Sequence, residues 1–160
     1  MEPVQLITAS PVCLWWSNLR KTWIGRASKT IKPQGGIVNM DDLELDIEIY
    51  GKPMVDKTRE IIDYFKPSKY WIENPQTGAM KKYITDLPFY DVDYCKYGLP
   101  YRKRTRFWTN IEGFIPKKCR WDCESVIEVG EVGNIRRTHK KQIGCFSAEK
   151  KIREWQKNNN

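Results

Sequence analysis

Short apolar runs alternate with polar segments along the chain and predict a domain that mixes strands and helices. Residues 4–11 (VQLITASP) form an apolar run that ends at Pro11, which predicts a strand. Residues 69–75 (KYWIENP) form a second such run, which ends at Pro75. Between them, residues 54–65 repeat their apolar positions at helical spacing. We therefore predict a strand–helix–strand unit of an α/β fold.

The pattern continues to about residue 110. Asp41 or Asp42 is a candidate cap for a helix that runs to about residue 50 and is interrupted near Gly51. A short helix and two more strands are predicted at 77–84, 90–98 and 104–110. Because ligands of open α/β sheets bind at the carboxyl ends of the strands, we expect a site beyond the first two strands.

The periodicity is lost beyond residue 110. We predict loops and short strands over 111–146, a helix over 147–157 that Ser147 caps, and disorder over 158–160. The domain prediction is therefore an α/β part over 1–110, followed by a small irregular basic region over 111–146 that is a candidate for binding a polyanion.

The charge of the chain indicates a polyanionic partner. The 160 residues carry a net charge of +8, from 28 basic and 20 acidic side chains. Basic residues gather in the C-terminal half, at 102–106, 117–120, 136–141 and 150–153. This clustering favours nucleic acid, since neutralised phosphates release their counterions. No apolar run approaches the ~20 residues of a membrane span, and no signal peptide is visible, so we expect a cytoplasmic or nuclear protein without a membrane partner.

A thiol and a carboxylate follow the first two predicted strands. Cys13 comes just after Pro11, and Glu73 precedes an Asn74–Pro75 pair. Together they suit nucleophilic attack on an electron-poor ring whose nitrogen is hydrogen-bonded or protonated. Each also has an ordinary explanation, as a buried structural cysteine or as a solvated carboxylate that caps a turn. Their shared position at neighbouring strand ends favours a catalytic pair.

Three segments carry a family resemblance: ITASPVCLWWS at 7–17, YWIENPQTGAM at 70–80 and DYCKYGLPYRKRTRFWTN at 93–110. In this order they resemble the catalytic-loop, Glu-Asn-Pro and arginine motifs of the DNA (cytosine-5)-methyltransferases, especially a compact phage and large-virus branch. The resemblance covers about residues 4–110. It implies a partial Rossmann-like class I methyltransferase domain with a small irregular C-terminal part.

The resemblance also implies roles. Cys13 would attack carbon 6 of a cytosine flipped out of DNA, Glu73 would hold or protonate nitrogen 3, and Arg104 would fix the base. The other matched positions would contact the substrate; they are Ser10, Pro11, Trp16, Ser17, Asn74, Pro75, Arg102 and Arg106. The cofactor would be S-adenosylmethionine.

The chain also departs from the family. Val12 stands where the family has a second proline. The Gly-rich turn and the acidic ribose ligand that bind S-adenosylmethionine are missing before the catalytic loop, so the cofactor motif is incomplete. A split enzyme completed by a second chain, a fragment, and a degenerate relative that binds DNA without catalysis are three explanations that the sequence leaves open.

The five cysteines are an odd number without an export signal, which argues against a disulfide framework. Our prediction is that the chain holds no metal. If it holds zinc, the candidate ligands are Cys119, Cys123, His139 and Cys145. Cys95 is predicted to be a small core residue.

Overall fold

The chain folds into two compact units. A computed structural model describes residues 3–131 and 133–141. The main unit is built from Met1–Val92 and Arg104–Pro116, and the small unit from Asp93–Lys103 and the segment that begins at Lys117. The predicted helix over 147–157, the predicted disordered tail over 158–160 and Cys145 lie outside the described residues.

The main unit is organised by a mixed four-stranded sheet. Its strands are β1 (Leu6–Ala9), β2 (Lys69–Pro75), β3 (Phe89–Asp93) and β4 (Arg104–Thr109), in the order β1-β2-β4-β3. β1 and β2 are parallel, with Ala9 opposite Ile72, whereas β2 and β4 are antiparallel. The parallel pair is the one that the apolar runs predicted, so an α/β architecture is confirmed.

Three helices accompany the sheet: α1 (Met40–Asp46), α2 (Lys52–Phe65) and α3 (Met80–Tyr83). Asn39, and not Asp41 or Asp42, is the cap of α1, two or three positions earlier than predicted, and it forms a reciprocal capping box with Asp42. The predicted interruption near Gly51 is instead a π-helical turn, Ile47–Gly51, that leads directly into α2. None of the helices in the described ranges is long and apolar enough to cross a membrane.

The core of the main unit lies between the sheet and the helices. Two buried residues of the sheet, Ile72 and Trp108, pack in one cluster with Val55 of α2 and Met80 of α3. The indole of Trp108 also donates a hydrogen bond of 3.1 Å to the Ile84 carbonyl. Burial of large apolar side chains is the main source of stability here.

The small unit contains a short 3₁₀ helix, Tyr94–Tyr97, and an antiparallel hairpin of β5 (Val126–Val129) and β6 (Arg136–His139). The strand predicted over 90–98 therefore ends at Asp93. Gly98, at a φ of 91°, donates its N–H to the Tyr94 carbonyl and closes the 3₁₀ helix, a backbone conformation that favours glycine. The hairpin agrees with the loops and short strands predicted beyond residue 110.

Candidate active site

The loop that carries Cys13 follows β1 directly and projects into solvent. Val12 and Leu14 are 50% and 49% exposed, and Cys13 between them is exposed as well. The loop turns back at once, because the Trp16 N–H donates to the Cys13 carbonyl over 3.2 Å. The thiol is thus presented at the tip of a tight turn.

Two side-chain hydrogen bonds join the start of this loop to the end of β2. The Ser10 hydroxyl donates to Oε2 of Glu73 over 2.6 Å. Nδ2 of Asn74 donates to the Pro11 carbonyl over 2.8 Å, and this bond is buried. Because β1 and β2 run parallel, residues 10–11 and 73–74 meet at the same edge of the sheet. The thiol loop and the carboxylate strand are therefore held as one piece.

Trp16 anchors the other end of the loop. Its side chain is only 2% exposed, and its carbonyl accepts a 2.7 Å hydrogen bond from the Ala79 N–H. A Cβ atom on Gly51 would lie 2.9 Å from the indole Cζ2, and one on Gly78 would lie 3.0 Å from the Trp16 carbonyl oxygen. A methyl group would therefore press on Trp16 from either position, on its indole at Gly51 and on its carbonyl oxygen at Gly78.

Arg104 and Arg106 of the arginine motif lie on β4, which pairs with β2. Arg104 begins β4, where its carbonyl accepts a 3.0 Å hydrogen bond from the Gln76 N–H. Arg106 makes a two-pronged ion pair with Asp91, at 2.7 and 2.9 Å, with both side chains largely buried. Arg102 belongs to the small unit.

Several residues that were predicted to contact the substrate make hydrogen bonds or core contacts within the protein. Ser10, Pro11, Cys13, Glu73, Asn74 and Pro75 gather at the strand ends, as predicted. The Ser17 hydroxyl instead accepts the Leu19 N–H over 3.2 Å and caps a 3₁₀ helix. Trp16 is a core anchor. Contact of any of these side chains with a substrate stays a prediction.

A cleft of about 330 Å³ lies beside the loop, against Trp15 and Tyr83. Four cations contribute to its lining: Arg20, Lys21, Lys52 and Lys82. Among the described lining residues, Glu44 is the one carboxylate. Arg20 is buried and pairs with Asp46, yet its Nη1 has no hydrogen-bond partner. Lys52 also pairs with Glu48, so cations exceed carboxylates around the cleft by a small margin.

A second group of reactive side chains lies within the small unit. The ligand atoms of Cys95, Cys119, Cys123 and His139 all lie within 4.8 Å of one another. Burial lowers the pKa of His139, and the nearby Arg102 guanidinium lowers it further. Burial alone would raise the pKa of Cys119, but backbone N–H groups of Asp122 and Trp121 hold it below its usual value. Three of these four residues are those named from sequence as candidate zinc ligands; Cys95 joins them.

Comparison with known proteins places the motifs in a family. The chain is 47% identical over 115 residues, or 71% of its length, to a probable DNA (cytosine-5)-methyltransferase of Frog virus 3 (isolate Goorha). The resemblance to the DNA (cytosine-5)-methyltransferases is confirmed. The aligned region is 50% of that relative, so the chain spans about half the length of the curated protein that it matches. No family model matches the chain, and no solved structure matches it significantly.

Sequence reasoning missed several residues that shape this methyltransferase-like site. Asp91 was not recognised as the partner of Arg106, and Gly78 and Ala79 were not recognised as the seat of Trp16. A signal was present for Gly78, which lies in the turn that directly follows the Glu-Asn-Pro motif. No signal identified Asp91 or Gly51, because each acts on a residue distant in the sequence.

Proposed function

We propose that the chain is the catalytic part of a DNA cytosine-5 methyltransferase, built on a partial Rossmann-like class I methyltransferase domain. The observation that carries this proposal is the pair of bonds between the Cys13 loop and β2, from Ser10 to Glu73 and from Asn74 to Pro11. They hold the loop that carries Cys13 against the strand that carries Glu73. Covalent catalysis on a ring requires a nucleophile and an acid–base group held in this way. The viral relative supports the same activity by its name.

The chemistry assigned to the chain is an addition across the cytosine ring. The Cys13 thiolate forms a bond to carbon 6, and the ring electrons move toward nitrogen 3, which takes a proton from the Glu73 carboxyl. Carbon 5 becomes an enamine carbon and a nucleophile. Arg104, at the neighbouring strand end, would hold the base in the pocket. Loss of the original proton from carbon 5 and departure of the Cys13 sulfur then restore the ring, and nitrogen 3 returns its proton to Glu73.

The substrate would be DNA with the target base turned out of the helix, because carbon 6 is not accessible within a stacked duplex. The small unit supplies exposed cations for backbone contacts, among them Arg120, Arg136, Arg137 and Lys140. Phosphate contacts position a protein on DNA without reading sequence. The region beyond residue 110 would therefore orient the substrate while Cys13 acts on the base.

The described residues do not fit the methyl donor that the family implies. S-adenosylmethionine carries a positive charge on its sulfur, whereas the cleft beside the Cys13 loop has four cations and one carboxylate in its lining. Gly35 and Gly36 lie between a 3₁₀ helix and α1 and do not follow a strand. We propose that the cofactor-binding half belongs to a second polypeptide segment or chain.

The addition step has a test that needs no methyl donor. If Cys13 adds to carbon 6, carbon 5 takes a deuteron from heavy water, and loss of the original proton followed by departure of the sulfur completes an exchange. We expect the purified chain to catalyse exchange of the cytosine 5-hydrogen in DNA, measured by mass spectrometry of the nucleosides. Cys13→Ala should abolish the exchange, and the neighbouring exposed variant Leu14→Ala should retain it.

DNA binding is measured on the same samples, since it separates this proposal from its alternative. Cys13→Ala should bind DNA as the unchanged chain does, because phosphate contacts are made by Lys and Arg side chains and Cys13 is neither. Binding without any exchange by the unchanged chain would contradict the catalytic proposal and would favour a degenerate relative that only binds DNA. Exchange that survives in Cys13→Ala would remove the thiol from the mechanism.

A further inference from the structure

The geometry points to a structural zinc site of three cysteines and one histidine in the small unit. The ligands are Cys95, Cys119, Cys123 and His139, and the site is independent of the proposed methyl transfer. They come from three separate stretches: the 3₁₀ helix at Tyr94–Tyr97, the loop before β5, and the end of β6. Compared with the candidates from the sequence, this set contains Cys95 in place of Cys145.

The distances between the ligand atoms suit one tetrahedral ion. Zinc bonds of about 2.3 Å to sulfur and about 2.0 Å to nitrogen give tetrahedral edges of about 3.5 to 3.8 Å. Sγ of Cys119 and Nε2 of His139 are 3.5 Å apart. All four ligand atoms lie within 4.8 Å of one another, so the longest separation would contract by about 1 Å when the ion binds.

The burial pattern gives the small unit a need for this ion. Among its described residues, those that are buried are Asp93, Cys95, Cys119, Ser125 and His139. None of these is a large apolar side chain, so the described residues of the unit form no hydrophobic core like that of the main unit. Small units of this kind rely on disulfides or metals. The four described cysteines, Cys95, Cys119 and Cys123 among them, are free thiols.

A tight turn of the backbone carries two of the ligands, Cys119 and Cys123. The N–H groups of Trp121 and Asp122, within this turn, donate hydrogen bonds to the Cys119 sulfur. Trp121 adopts a left-handed φ of 65°, which is an outlier for a bulky side chain. Strain of this kind persists where the surrounding structure over-determines it.

Supporting contacts hold the ligands in place from outside. Oδ2 of the buried Asp93 accepts the Cys119 N–H over 2.8 Å. The Trp121 ring lies against the His139 ring, with 5.2 Å between their centroids. The Arg102 guanidinium lies over the Trp121 ring, 5.5 Å from its centroid. Three thiolates and Zn²⁺ carry one net negative charge, which the Arg102 cation offsets. Such outer contacts orient metal ligands and tune their affinity.

The donor set selects zinc over other ions. Magnesium and calcium take oxygen ligands, and none of the four donors is an oxygen. Three sulfurs with one imidazole nitrogen in a tetrahedral arrangement is a combination of closed structural zinc sites. With four protein ligands no position is open for substrate, so the role is structural and not catalytic.

The test begins with the metal content of the purified full chain, produced with zinc in the medium. We expect about one zinc per chain by elemental analysis, and Cys95→Ser and Cys123→Ser should each reduce it several-fold. The matched thiol controls are Cys13→Ser and Cys145→Ser, which should retain the metal. Loss of zinc in Cys145→Ser together with retention in Cys95→Ser would overturn this ligand set.

A second measurement on the unchanged chain covers the case in which the ligand variants fail to fold. Cobalt added to the metal-free chain should saturate at about one per chain and give the visible absorption of a tetrahedral cobalt–thiolate centre. Zinc should also protect Cys95, Cys119 and Cys123 from alkylation while the exposed Cys13 reacts. No zinc in the isolated chain and no tetrahedral cobalt spectrum would overturn the site.

The outer contacts provide a graded variant. Asp93→Asn removes the charged acceptor of the Cys119 N–H and leaves all four ligands present. We expect zinc affinity to fall by about 10-fold or more, as for other outer-shell partners. An unchanged affinity would contradict the positioning role that we assign to Asp93.

Discussion

The two units of this chain use different means to become compact. The main unit buries Trp108, Ile72, Val55 and Met80 between a sheet and its helices. The buried residues described in the small unit are polar or carry sulfur. With the zinc that we propose, the difference teaches that a unit whose described residues bury no large apolar side chain can still specify a structure through a few convergent ligands.

The comparison implies that the units respond to different perturbations. The main unit should depend on packing and be indifferent to chelators, whereas the small unit should depend on its metal. The Cys13 loop belongs to the first class, since both of its anchors lie in the main unit.

The largest effect is expected from removal of the central indole. Trp108→Ala deletes a fully buried side chain and its hydrogen bond to Ile84, and should lower the free energy of unfolding by about 3–5 kcal/mol. Urea unfolding followed by circular dichroism measures this change. Trp23→Ala, at an exposed position, is the control and should cost far less. Equal costs for the two variants would refute the packing assigned to Trp108.

A smaller loss of stability is expected when the hydrogen bond between the Cys13 loop and β2 is removed. Asn74→Ala removes the buried donor to the Pro11 carbonyl and should cost about 1–3 kcal/mol of stability. Because the loop is then less well held, exchange of the cytosine 5-hydrogen should slow by more than the loss of folded protein explains. Asn134→Ala, on an exposed turn of the small unit, is the matched control. If the variant is less stable but its folded fraction catalyses hydrogen exchange at the normal rate, the bond from Asn74 to Pro11 has no role in catalysis.

Substitutions of exposed arginines on the hairpin should have the smallest effect on the fold but a clear effect on DNA binding. Arg136→Gln and Arg137→Gln together should reduce the salt dependence of DNA affinity by about one to two units of slope, since each phosphate contact contributes about 0.9. Zinc content and unfolding should not change, because both side chains are exposed. Fluorescence titration at several salt concentrations measures the slope. An unchanged slope would mean that the DNA does not contact Arg136 or Arg137. Glu131→Gln is the control for a general change in the charge of the hairpin region.

The sequence predicted the main unit well because its signals are local. The β2 strand was placed at 69–75, where it is found, and α2 was placed within two residues of its observed start. Apolar periodicity and proline positions carry that information within a few residues of the element itself. The parallel meeting of β1 and β2 followed from the same local pattern, together with the general rule for open sheets.

The sequence did not predict contacts between distant residues. Cys95 was assigned to a strand and to the core, and no local pattern showed that its sulfur would meet those of Cys119 and Cys123. The ion pair of Arg106 with Asp91 was missed for a similar reason, since it depends on the pairing order of β3 and β4. Ligand sets and ion pairs of this kind are fixed by topology, which one sequence leaves open.

A substitution at Gly51 would act on the Cys13 loop through Trp16, although Gly51 lies far from that loop in the sequence. Alanine at Gly51 would favour the helical backbone there by about 0.5–1 kcal/mol, yet its methyl group would lie 2.9 Å from the indole that seats the loop. The two effects oppose each other, so Gly51→Ala would disturb the seat of the loop while Cys13 and Glu73 stay intact.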